Sequence, residues 1–233
     1  MPQQIALQIL YEDNHLIAIN KPAGFLVQGD QTGDMPLTEN VKDYIKLRYN
    51  KPGEVFLGVI HRLDRPVSGV LLFARTSKAL TRMNELFKER AVEKIYWAVT
   101  MNQPDPISGK LVHYLDKDRE KNKVLLLEKP SRRHPDAKLA ELSYEVLGRL
   151  GQHVLLQVRP VTGRPHQIRA QLASIGCPIR GDIKYGSTQP NRDNNIHLHC
   201  RRLSFVHPVK QEPVVIEAPL PENNDVWRMF RGF

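Results

Sequence analysis

The sequence predicts an α+β fold, in which a large mixed, mostly antiparallel β-sheet is flanked by helices within one domain covering residues 1–233. Three observations predict it. Strand-like segments outnumber helical ones. Most strand-like segments sit next to another across a brief polar turn, which favours antiparallel pairing. No internal repeat or linker composition divides the 233 residues, a length that suits one large domain or two small ones.

The elements follow in order. Gln8 to Tyr11 and Leu16 to Asn20 are short apolar segments separated by Glu12-Asp13-Asn14, the pattern of a β-hairpin. Lys21-Pro22-Ala23-Gly24 breaks the second strand, and Gly29 to Pro36 is a polar, Gly-containing surface loop. Thr38 to Tyr49 places Val41, Tyr44, Ile45 and Leu47 at helical spacing. Val59-Ile60 and Gly69 to Ala74 are apolar enough for buried strands. Ser77 to Arg90 is the clearest helix, with Ser77 at the N-cap and Leu80, Met83 and Phe87 in one stripe.

Lys94 to Met101 is rich in aromatic and β-branched residues and predicts a strand. Leu111 to His113 and Lys123 to Leu127 predict a hairpin around the charged stretch Asp116 to Asn122. Ala140 to Gly148 pairs with His153 to Val158 across Arg149-Leu150-Gly151. Pro165 to Ile175 predicts a helix with proline in its first turn, where the missing N–H does no harm. Leu198 to Phe205 and Pro213 to Glu217 close the sheet, and Asn224 to Phe230 forms a short terminal helix.

Composition narrows the function classes. Hydrophobic residues make up 41% and charged residues 25%, which is ordinary globular usage. No apolar run is long enough for a membrane span, and the N-terminus lacks the pattern of a signal peptide. Cys177 and Cys200 are the only cysteines, which fits a reduced, cytoplasmic protein without a disulfide framework. Lys plus Arg is 34 against 25 for Asp plus Glu, a formal net charge of +9. Such a surplus favours a polyanionic partner, mainly nucleic acid. The dense basic groups are Arg132-Arg133-His134 and Arg201-Arg202.

The stretch "VIHRLDRPVSGVLLFART", Val59 to Thr76, sets a histidine, an aspartate and two arginines between apolar segments. A carboxylate beside a core is costly unless paired or hydrogen-bonded. Asp64, between Arg62 and Arg65, therefore either caps backbone N–H groups in a structural turn or serves a reaction at the rim of a sheet. Both fit the segment by itself. A second stretch, Arg159 to Gly186, crowds Arg159, Arg164, His166 and Arg169 around a Thr-Gly turn at a helix start. That arrangement suits phosphate contact, and an arginine there could equally pair with a carboxylate. On sequence grounds Arg62 and Arg65 could take the same partner role for Asp64.

His61-Arg62-Leu63-Asp64 followed by Ser68-Gly69 resembles the signature motif of the RluA family of pseudouridine synthases. Four more stretches match in the family's order: Ile19 to Val27, Glu93 to Val99, Gly163 to Gly186 and Leu198 to Pro208. The resemblance implies a pseudouridine synthase catalytic fold with a central RNA-binding cleft. It implies Asp64 as the catalytic aspartate and Arg169 as its salt-bridging arginine. Tyr96 would stack on the target base and Arg62 would fill the space of the flipped nucleotide. Arg65, Arg164 and His166 are further expected RNA contacts. The expected function is isomerisation of specific uridines in tRNA or rRNA, with no cofactor, no metal and RNA as partner, by a chain acting as a monomer. Two departures stand out. Pro165 replaces the more usual threonine between Arg164 and His166, and the chain starts at the first catalytic-domain strand, so no separate N-terminal RNA-binding module is expected.

The chemistry suits this. The reaction consumes nothing, and the sequence has neither a phosphate-binding P-loop nor a dinucleotide fingerprint. It needs an ionised carboxylate in a dry setting, and a facing arginine lowers a carboxylate pKa by roughly 1–3 units. Strand alternation puts Tyr96 and Trp97 on opposite faces, so at most one of them faces a cleft. His197, His199 and Cys200 suggest a metal site, yet no other Cys/His cluster completes it with recognisable spacing. The alternative from another class is an RNA-binding protein on this fold that has lost catalysis. The presence of Asp64, Tyr96 and Arg169 together argues against it.

Overall fold

The computed structural model describes residues 6–30, 33–118, 120 and 122–233. Along the chain run β1 (Ile9–Glu12), β2 (Leu16–Lys21), α1 (Leu37–Arg48), β3 (Gly58–Val59), β4 (Ser68–Ala74), α2 (Ser77–Lys88) and β5 (Glu93–Thr100). There follow β6 (Ser108–Asp118), β7 (Lys123–Leu127), β8 (Lys138–Leu150), β9 (His153–Pro160), α3 (Gln167–Ser174) and a 3-10 turn (Ile183–Tyr185). The chain ends with β10 (Leu198–Val206), β11 (Pro213–Glu217) and α4 (Asp225–Met229). Strands dominate, and the ladders β1–β2, β2–β4, β5–β9, β6–β7, β6–β8, β8–β9 and β10–β11 are antiparallel, in keeping with the mixed, mostly antiparallel sheet of the predicted α+β class. Two residues of the predicted Gly29–Pro36 loop, 31 and 32, and two of the Asp116–Asn122 stretch, 119 and 121, lie outside the described residues.

Contacts divide the chain into two compact units, where the sequence predicts a single domain. The first takes the chain as far as Glu93, together with Cys200–Pro219. Its strand order is β1-β2-β4-β10, with β11 on β10 and β3 on β4. β2 and β4 pair from Leu16↔Ala74 to Lys21↔Gly69. Every residue of β4 is buried, which is what its unbroken apolar run demands of a strand covered on both faces. Gly69 has φ +113, and a Cβ there would lie 2.2 Å from the carbonyl oxygen of Cys200, so only glycine lets the two strands approach. The N-cap of α2 is Thr76, one residue before the predicted Ser77. Thr76 already has extended dihedrals, and its hydroxyl accepts from Ala79 N–H.

The second unit comprises Lys94–His199 and Leu220–Phe233, with strand order β5-β9-β8-β6-β7. Ile95, Trp97 and Val99 on one face of β5 pack with Leu155 against Val226, Trp227 and Phe230 of the terminal segment. Tyr96, one residue out of phase, belongs to the other face. β6 is much longer than the predicted Leu111–His113, because its ladder with β8 runs from Ser108↔Glu145 to Leu115↔Lys138. Backbone pairing recruits polar residues that a hydrophobic pattern cannot flag. The β8–β9 turn shrinks from three residues to Gly151-Gln152, since Arg149 and Leu150 still pair with Val154 and His153. Gly151 takes φ +59, at the turn position that favours glycine.

Candidate active site

Asp64 belongs to the first unit, in the loop between β3 and β4. Its flanking Leu63 and Val67 are buried, Asp64 itself is half-buried, and Arg62 and Arg65 are exposed. Several bonds fix this loop. Val67 N–H closes a turn on Asp64 O at 3.0 Å. The His61 Nε2 accepts from Leu72 N–H at 3.0 Å, and its ring stacks on Phe87 with centroids 5.4 Å apart. Gly24 N–H donates to Arg65 O at 2.8 Å, while Arg65 Nε donates back to Gly24 O at 3.0 Å and its Nη2 pairs with Asp34 at 2.8 Å.

The strongest tie comes from Lys21, which sequence reasoning treated only as part of a strand-breaking turn. Its side chain is wholly buried, and Nζ donates to the carbonyls of Pro22 (3.1 Å), Arg65 (3.1 Å) and Val67 (2.7 Å). Burial drives its pKa down to about 7, the carboxylate of Asp64 opposes that fall, and the charge of Arg65 adds to it. Lys-Pro-Ala-Gly is thus the socket of the Asp64 loop. The signal for it was a lysine closing an apolar strand immediately before a proline.

Tyr96 and Arg169 belong to the second unit. Tyr96 pairs with Val158 in the β5–β9 ladder and is 9% exposed. Arg169 sits in the first turn of α3 and is buried. Its Nε and Nη2 donate to Oδ2 and Oδ1 of Asp182 at 2.7 and 2.9 Å, a bidentate fork. Asp182, also buried, follows Gly181 within the Gly163–Gly186 stretch, and its function was not legible in the sequence. The Tyr185 ring lies beneath the same guanidinium, 5.1 Å away.

The segment before α3 departs from expectation. The helix begins at Gln167, so Pro165 lies ahead of it rather than in its first turn. The reason is His166, which takes φ +52 and cannot continue a right-handed helix. Gln167 ties down the loop ahead of the helix: its Oε1 accepts from Thr162 Oγ1 (2.7 Å) and Arg164 N–H (3.0 Å), and its Nε2 donates to Glu141 O (3.0 Å). Arg164 Nε donates to Leu139 O at 3.0 Å, and Arg159 pairs with Glu145 across the ladder at 2.9 Å. The predicted cluster is therefore spread over distinct partners. Within this unit the fold gathers His166, Arg169, Asp182 and Tyr185.

His197 and His199 both tilt against Trp227, so they do share a strand face. The two ring nitrogens of His197 are engaged, Nδ1 accepting from Asn191 at 2.9 Å and Nε2 donating to Asn224 at 2.9 Å. Burial holds its pKa down to about 4, which keeps it neutral. Cys177 and Cys200 are both buried. Among the described residues no helix is long and apolar enough to cross a membrane.

A family model described as RNA pseudouridylate synthase matches residues 15–174. The chain is 34% identical over 220 residues to "Ribosomal large subunit pseudouridine synthase C" of Vibrio vulnificus (strain CMCP6), covering 92% of this chain and 66% of that protein. It is 34% identical over 222 residues to the protein of the same name from Escherichia coli (strain K12), covering 92% and 66%. The chain thus spans about two thirds of the length of these curated relatives. The solved structure of Human RNA Pseudouridylate Synthase Domain Containing 4 superposes with a TM-score of 0.77 at 27% identity, over 96% of this chain and 92% of that one. Human RNA Pseudouridylate Synthase Domain Containing 1 shares the fold, with a TM-score of 0.73 at 24% identity over 95% and 87%.

Proposed function

The chain belongs to the RluA family of RNA pseudouridylate synthases, and from that premise we propose that it isomerises uridine to pseudouridine in RNA, with Asp64 as the reacting carboxylate. The bond between ribose C1′ and uracil N1 breaks, the base turns, C5 bonds to C1′, the C5 proton leaves to water, and N1 takes up a proton in exchange, so the product is an isomer of the substrate. Asp64 acts as the nucleophile that carries the intermediate. Nothing is consumed.

The observation that carries this reading is the state of the Asp64 loop. Its carboxylate stands between buried Leu63 and Val67, and the loop is clamped by the Lys21 ammonium and the His61 ring. Such a setting limits water, so detached uracil is recaptured rather than lost. Arg169 takes the part of the cationic partner that the family resemblance gives it, which its buried, carboxylate-held guanidinium suits. Tyr96 supplies the stacking surface for the flipped base. Flipping costs a few kcal/mol and stacking on an aromatic returns about 1–3 kcal/mol. Arg62, Arg65, Arg164 and His166 contact the RNA. Arg65 and Arg164 do so from fixed positions, because each is anchored on a backbone carbonyl.

The substrate we propose is ribosomal RNA of the large subunit, as in the names of the 34% identical relatives. The test is tritium release from RNA labelled at uracil C5, using tRNA and rRNA fractions from a strain lacking this protein. Wild type should release tritium from the rRNA fraction and Asp64→Ala should release none while keeping most of its RNA affinity. Full turnover by Asp64→Ala would sink the assignment of the nucleophile. Release from tRNA alone would move the substrate. No release from either fraction, with RNA binding intact, would favour the non-catalytic binder.

A further inference from the structure

Tyr185 is 8% exposed and belongs to an apolar cluster with Leu115, Val124, Ala140 and Ala170. A phenylalanine would fill that cluster equally well, so the hydroxyl calls for its own account. It accepts from Val124 N–H of β7 at 2.9 Å and lies 2.8 Å from Nδ1 of His166. The ring meets the guanidinium of Arg169 at 5.1 Å, and the imidazole of His166 stands edge-on to it at 5.7 Å. Next to it, Lys184 Nζ donates to Asn122 O at 3.0 Å, so the 3-10 turn is bound to the same hairpin at two points.

These contacts constrain Arg169 in complementary ways. The Asp182 fork fixes the guanidinium within its own plane. A fork of two parallel N–H···O bonds resists in-plane slip better than tilt out of the plane. A ring face beneath the cation resists that tilt. The phenol in turn is held by a strand amide, which belongs to the β6–β7 ladder rather than to α3. The phenol oxygen accepts from Val124 N–H and is still able to donate its own proton to His166 Nδ1; with the proton so placed, the imidazole proton sits on Nε2.

We propose that Tyr185 is a positioning residue: anchored on β7, it sets the tilt of the Arg169 guanidinium and the tautomer of His166. The proposal rests on the pseudouridine synthase reading above, in which Arg169 serves the reacting carboxylate and His166 contacts RNA.

The test uses the full chain carrying Tyr185→Phe, which keeps the ring and removes the hydroxyl. Two readouts are taken: the single-turnover rate of uridine conversion at saturating RNA alongside the dissociation constant for that RNA, and the NMR signal of the Arg169 Nε–H. The expected result is a rate about 10-fold lower, because a guanidinium free to tilt is misplaced against the reacting groups, with the dissociation constant changed by less than about 3-fold. The Arg169 Nε–H signal should shift, as should the Val124 amide. A merely structural tyrosine would lower the melting temperature without moving the rate or the arginine signal, and that result would overturn the proposal. An unshifted arginine signal would overturn it whatever the rate. Absence of conversion by the wild-type protein on any RNA would instead remove the parent reading, and with it any role in catalysis for Tyr185.

Discussion

Replacing Asp182 by alanine should destabilise the second unit severely, and removing its partner as well should largely reverse the damage. The side chains of Arg169 and Asp182 are 7% and 1% exposed, and they are joined by two bonds of 2.7 and 2.9 Å. Asp182→Ala takes the bidentate carboxylate from a buried cation, a change that costs about 3–5 kcal/mol. For a protein of this size each kcal/mol moves the melting temperature by about 2–4 °C, so a fall of roughly 6–20 °C is expected. The double variant Arg169→Met/Asp182→Leu replaces the pair with apolar groups of similar reach, and such exchanges are often neutral or better. It should melt within about 5 °C of wild type and convert no uridine. Thermal unfolding followed by circular dichroism, with tritium release in parallel, reads both effects. A melting temperature for Asp182→Ala within about 2 °C of wild type would refute the reasoning. A double variant less stable than the single one would refute it equally.

Three further outcomes follow from the same geometry. Lys21 has a folded pKa of about 7 against an ordinary 10.5, so between those values the unfolded chain holds a proton that the folded one has released, and stability from this group rises with pH. At about 1.4 kcal/mol per pH unit, wild type should gain about 3 kcal/mol relative to Lys21→Met between about pH 7 and pH 9.5 in urea unfolding; a loss over that interval would contradict the lowered pKa of the buried Lys21. Gly69→Ala must seat a Cβ 2.2 Å from the Cys200 carbonyl oxygen at φ +113, so it should cost about 3 kcal/mol or more, and an unchanged melting temperature would count against so close an approach of β4 and β10. RNA affinity of this +9 chain should weaken on the order of 100-fold between about 50 and 200 mM salt, the loss for about five neutralised phosphates on a single strand; a flat response would exclude a phosphate-tracking surface.

Local elements and chemical candidates were legible in the order of residues. The apolar run of β4 announced a strand buried on both faces, the β1–β2 and β8–β9 hairpins were marked by their turns, and α2 by its stripe. Period-two alternation separated Tyr96 from Trp97, and Trp97 is the one that packs with the terminal helix. Five ordered motifs named the family. Tertiary structure alone decided who holds whom. Lys21 reaches carbonyls 44 and 46 residues away, Arg169 finds a carboxylate 13 residues on, and Tyr185 meets an amide 61 residues back. It also decided the length of β6 and the start of α3, which depend on a strand partner and on one left-handed residue. The physical reason is range. Propensity and periodicity act between residues a few positions apart. A buried charge or hydroxyl is satisfied by whatever group the strand pairing brings beside it, and that pairing is set by the whole chain.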